Sequence, residues 1–170
     1  MEHGQQTGDS GEHHGHSEHQ GHNMYRRFAV MIAVSFVAMY VLMYAMVNQF
    51  TNVFNSLNQV YMAGLMAASM VIIELMVMRA MYRNRRLNAA LLVGGAVALL
   101  LCWMGIRRQV GIGDRQFLRS MIPHHAGAIL MCEQASISDA RVRELCFRDQ
   151  GIVASQTAEI AQMKAILEAK

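Results

Sequence analysis

Three long apolar runs leave this chain few ways to fold. The first, FAVMIAVSFVAMYVLMYAMV, covers Phe28 to Val47 without a charge. The second runs from about Val60 to Met78 and holds one acid, Glu74. The third runs from about Asn88 to Ile106 and holds Gly94, Gly95, Cys102 and Trp103. A helix rises about 1.5 Å per residue, so each run can cross a hydrocarbon core of about 30 Å. In lipid the backbone must satisfy its own hydrogen bonds, which predicts a helix for each. The first run has the flanks of a signal peptide. It is too long for an apolar signal region and lacks a small-residue cleavage site, so a retained helix is expected. In a chain of 170 residues this leaves room for one small appended domain.

The basic residues suggest an orientation. Arg26 and Arg27 precede the first run, and Arg79, Arg83, Arg85 and Arg86 separate the second from the third. The loop between the first two, NQFTNVFNSLNQ, carries no charge. The positive-inside rule then places the N-terminus in the cytoplasm of a bacterial inner membrane and the C-terminal part in the periplasm. Arg107, Arg108, Arg115 and Arg119 follow the third run and pull against that orientation. No basic surface interleaved with aromatics suits nucleic acid, so lipid is the expected macroscopic partner.

Histidine is confined to two places. Six of the eight precede residue 23, and the other two are adjacent at His124 and His125. Residues 1–23 are rich in Gly, His and Gln with almost nothing apolar, so a disordered tail is expected. His13, His14, His16, His19 and His22 in it form an auxiliary, weak metal-binding tract of the His-rich type. Residues 24–107 then form the three-helix membrane unit and 108–170 a helical domain. In that domain Asp114 is the expected cap of one helix ending near Gln134, with a kink or restart at Pro123. Ser136 to Asp139 makes a turn and a second cap, and a last helix runs to about Ala169, interrupted only at Gly151. The fold class is therefore all-α: three membrane helices followed by a helical hairpin. A hairpin buries little surface, so it is expected to pack on a second copy or on the membrane unit.

Helical spacing at about 100° per residue groups Phe117, Met121, His124, His125, Ala128, Met131 and Cys132 on one stripe. In the last helix it groups Leu145, Ile152, Gln156, Glu159, Met163 and Ile166. If both stripes face inward, two imidazoles, an amide and a carboxylate need partners away from water. A metal ion between the helices satisfies several at once; core filling by the methionines with a histidine bonded to Glu159 is the plainer alternative. Thioether sulfur favours Cu(I), or silver by the same logic, and zinc seldom uses methionine. Cys132 and Cys146 can pair or bind metal, and their spacing does not decide between these. Glu-x-x-His pairs, His-Glu-x-x-His and Cys-x-x-Cys-His are all missing, so no enzymatic activity is expected.

The segment FLRSMIPHHAGAILM, followed by Gln156, Glu159 and Met163 in IVASQTAEIAQM, resembles the domain-of-unknown-function 305 family over about residues 114–168. That family is helical and ferritin-like in appearance and is associated with copper and silver binding and tolerance outside the cytoplasm. The resemblance implies metal binding at His124, His125, Met121, Met131 and Met163, with Glu159 and Gln156 in supporting places. Many members carry the His-His unit twice, which gives four helices in one chain. Here it occurs once, so a complete four-helix bundle implies a homo-oligomer.

The membrane unit has a pattern of its own. Met39, Met43 and Met46 share a helical face, as do Met62, Met66 and Met70, with Glu74 one turn further. An intramembrane acid is a candidate functional residue. A methionine-lined path for Cu(I) is the sharper reading; adaptable packing, with Glu74 paired to Arg79 or reaching the interface, is the plainer one. The expected function is a membrane-anchored copper or silver binder that buffers the ion or passes it on. A transport subunit and a metal-free helical scaffold are the alternatives.

Overall fold

The computed structural model describes residues 15–82 and 84–169, with side chains described from Asn23 onward. The described residues form six α-helices and no strand: α1 (Gly15–Leu42), α2 (Leu57–Val77), α3 (Arg85–Arg108), α4 (Asp114–Gln134), α5 (Ala140–Phe147) and α6 (Ile152–Glu168). Three stretches, Asn23–Met46, Leu57–Val77 and Arg85–Arg108, are long and apolar enough to cross a membrane. Large apolar side chains on them stand exposed, among them Val34, Val77 and Leu101. Such a surface fits helices long and apolar enough to cross a membrane.

Glycines let α2 and α3 approach closely. Gly95 and Gly105 are buried on α3, and Gly95 lies against Ala68, Val71 and Ile72 of α2. A Cβ at Gly105 would lie 3.0 Å from the ring of Tyr61, and one at Gly64 would lie 2.8 Å from Cys102 Sγ. Hydrogen at these positions is what lets the two helices approach. At one end of the unit Phe28, Val71, Leu75 and Tyr82 close a small apolar cluster. The Tyr25 hydroxyl donates to Asn88 Oδ1 at 2.8 Å, and Asn88 Nδ2 donates to the Tyr82 carbonyl at 2.7 Å. Burial pushes the Tyr82 hydroxyl above its usual range. Arg26, Arg27, Arg79, Arg85 and Arg86 all lie exposed at this end.

The opposite end carries the uncharged loop, which is a seat for the helical unit. α1 gives way at Leu42 to a 3-10 turn, Met43–Met46, and Ser56 caps α2 by accepting from the Gln59 N–H at 3.4 Å. Gln116 of α4 accepts the first N–H of α2, at Leu57, at 2.9 Å. Asn58 and Gln109 exchange two amide hydrogen bonds of 3.1 and 3.2 Å. Gln109 ends α3 in a left-handed conformation (φ 49°), which turns the chain directly into α4. Val47 and Phe54 from the loop pack on the core of the helical unit. The domain therefore rests on the membrane unit, one of the two arrangements expected for it.

Three local readings change. Asp114 is the first residue inside α4, and Gly113 holds the cap position; an acid there suits the positive helix end. Pro123 lies inside α4 without ending it, although its missing N–H removes the bond to the Arg119 carbonyl. The expected hairpin is a three-helix unit, because α5 and α6 are separate helices. Gly151 makes that corner: a Cβ there would sit 2.8 Å from the Leu145 carbonyl and 2.9 Å from that of Cys146. Asp139 does cap α5, accepting from the Arg141 N–H at 2.8 Å and from its guanidinium at 2.9 Å. That guanidinium holds the Asp139 carboxyl below the usual carboxylate range.

Candidate metal centre

The core of the helical unit lies between α4 and α6. Leu118, Ile122, Ala126 and Ile129 meet Ile160 and Met163, with Met121, Val153 and Leu167 at the margin. His125 enters this core at 8% exposure, while His124 is exposed. Neighbouring helical residues differ by about 100° in direction, so two adjacent imidazoles cannot both face α6. Their rings stand 6.2 Å apart and inclined at 64°. The expected inward stripe is thus corrected by one residue. The buried seam is Leu118, Ile122, His125, Ile129 and Cys132, and Phe117, His124 and Met131 lie on an exposed face beside it. On α6 the same correction removes Ile166, which is 40% exposed, and Leu145 belongs to α5.

Both ring nitrogens of His125 are engaged. Nδ1 lies 2.9 Å from the Met121 carbonyl, and Nε2 lies 2.7 Å from Glu159 Oε2. A carbonyl only accepts, so Nδ1 carries a proton and donates it. Nε2 is thereby the nitrogen that faces α6, at hydrogen-bond distance from the Glu159 carboxylate. Met121 and His125 stand one turn apart on α4, and Glu159 and Met163 one turn apart on α6. Four of the expected site residues are thus brought to one interface. Gln156 is half-buried one turn before Glu159. His124 and Met131, the latter 55% exposed, are not part of this interface. Among the described residues no three His, Cys, Asp or Glu side chains gather as a metal-binding group. A metal at His125 would draw its further donors from the Met121 and Met163 thioethers, which is a soft donor set.

The chain pairs Cys132 with Cys146 in a disulfide, Cα to Cα 5.6 Å, tying the end of α4 to α5. Both cysteines are buried. Cys102 is a free thiol in α3. Elsewhere the expected sites fare differently. His13 and His14 lie outside the described residues, as do the side chains of His16, His19 and His22, although α1 already begins at Gly15. No salt bridge joins Glu74 to Arg79 or to any other described residue. Met46 and Met62 are 55% and 41% exposed, so the methionines of the spans do not form one enclosed file.

These features define an all-α protein with three candidate membrane spans and a small helical unit. The family profile "Domain of unknown function (DUF305)" matches residues 106–167. An uncharacterized protein of Acanthamoeba polyphaga mimivirus is 31% identical over 114 residues, 66% of this chain and 71% of that relative. The chain belongs to the DUF305 family. No solved structure matches it significantly.

Proposed function

We propose that this protein is a membrane-anchored binder of a soft metal ion, Cu(I) foremost and silver by the same chemistry, which it buffers or hands on outside the cytoplasm. One observation carries the reading. The Nδ1–H of His125 is held by the Met121 carbonyl, so Nε2 is presented toward α6 as a ligand atom of fixed tautomer. The Met121 and Met163 side chains belong to the same core between α4 and α6. Glu159 is the displaceable partner, since its side chain is 51% exposed. The disulfide supports an oxidising compartment, and the arginines at the opposite end of the spans support a cytoplasmic N-terminus in a bacterial inner membrane. His124 and Met131, seven residues apart on the exposed face of α4, serve a second copy in this reading.

The metal-free scaffold has one observation in its favour: both ring nitrogens of His125 already have protein partners. A competitive Cu(I) titration of the full-length protein in detergent separates the two. His125→Ala is expected to weaken binding by about 100-fold or more. His124→Ala leaves the affinity of the monomer unchanged. Equal affinities in wild type and His125→Ala remove the metal reading in favour of the scaffold.

A further inference from the structure

We propose that the cavity between the loop joining α1 to α2 and the helical unit binds a phosphate oxyanion, that of an anionic phospholipid headgroup. The cavity has a volume of 360 Å³, space for roughly a dozen waters. Arg115 and Arg119 of α4 and Lys164 of α6 line it, against one carboxylate, Glu168. Arg115 and Arg119 are one turn apart and so project from the same side of α4. Arg115 lies in its first turn, where the helix end adds partial positive charge. Arginine forks match phosphate oxygens in pairs, and lysine adds a point charge.

The place of the cavity selects a lipid. Its remaining walls are Thr51 and Phe54 of the loop and Leu167 of α6. The loop lies between Met46, where one candidate span ends, and Leu57, where the next begins. The cavity therefore opens at the height of the headgroups on that face of the membrane. Phe50, beside Thr51, is 96% exposed. An exposed phenylalanine close to a span end can bury its ring at the headgroup–acyl boundary. Phe54 and Leu167 offer an apolar wall to the glycerol ester of the headgroup. The proposal also accounts for Arg115 and Arg119 on the face that the positive-inside rule leaves poor in basic residues. It does not rest on the metal reading or on which leaflet this face meets.

The test is lipid retention by the full-length protein, measured by native mass spectrometry after exchange between phosphatidylglycerol and phosphatidylcholine micelles. Wild type is expected to retain phosphatidylglycerol preferentially. Arg115→Gln with Arg119→Gln lowers that preference by about five-fold for each charge removed. Glu168→Gln raises it, which keeps the test decisive if the double variant folds poorly. Arg148→Gln, on an exposed residue after α5, leaves it unchanged. Competition by millimolar inorganic phosphate would keep the oxyanion site but assign it to a soluble ligand. Equal retention of both lipids by wild type, or no effect of either cavity variant, overturns the proposal.

Discussion

In the membrane unit α2 and α3 approach at glycines, Gly64 against Cys102, Gly95 against Ala68, Val71 and Ile72, and Gly105 against Tyr61, whereas α4 and α6 meet through Ile122, Ile129, Ile160 and Met163. The contrast follows from the solvent each pair displaces. Lipid tails are as apolar as leucine, so helices in a bilayer gain by close approach and dispersion rather than by hiding large side chains. In water each Å² of apolar surface removed contributes about 25 cal/mol, which favours large aliphatic residues. The polar groups divide accordingly. In the spans the side-chain hydrogen bonds between helices gather at the two ends, at Tyr25 and Asn88 or at Asn58 and Gln109. In the helical unit one polar side chain, His125, enters the core interface and meets Glu159 at its exposed margin.

The largest expected effect sharpens this contrast. Ile122 is fully buried, so Ile122→Ala is expected to destabilise the helical unit by about 4 kcal/mol. Pulse proteolysis in detergent should show α4–α6 cleaved and the spans protected; coincident loss of both would make the molecule one cooperative body. Removing the Cys132–Cys146 bond as a double serine variant comes next, at about 3 kcal/mol for a short loop. The same loss should follow a reductant in wild type and be missing in the variant, read by thermal unfolding. In the membrane unit Gly105→Ala crowds the Tyr61 ring and is expected to cost about 2 kcal/mol, seen as a lowered unfolding midpoint in mixed micelles. If it were neutral, close approach would not be what holds α2 to α3.

The smallest effect is electrostatic. The Asp139 carboxyl is held low in the folded state, so its contribution is present above the unfolded value, about 3.9, and fades as pH falls through the folded one. Hydrogen exchange should show α5 losing protection below about pH 4. Arg141→Ala should move that loss to higher pH. Asp139 is exposed, so the change stays local to α5.

The three spans and the family of the C-terminal part were legible in the residues, because apolar length and the MIPHHAGAILM segment are local signals. The direction of the two histidines was not. Phe117, Met121, His124, Ala128 and Met131 follow the same alternating spacing of four and three as Leu118, Ile122, His125, Ile129 and Cys132. Two apolar seams one residue apart are equivalent until α6 and the loop select one. The pairing of Cys132 with Cys146 likewise depends on the corner that separates α5 from α4. The seat formed by residues 48–59 left one signal that went unused: a loop rich in Asn, Gln and Ser, without charge, is well supplied to satisfy helix ends.

The joint between α3 and α4 has a kinetic consequence. Gln109 turns the chain, its amide pairs with Asn58, and Gln116 closes the start of α2, so no slack separates the spans from the helical unit. If the three candidate spans cross a bilayer, whatever docks on α4 and α6 must come to it. Encounters with a membrane protein then become a search in two dimensions, with the helical unit held at constant height and carried by lateral diffusion alone.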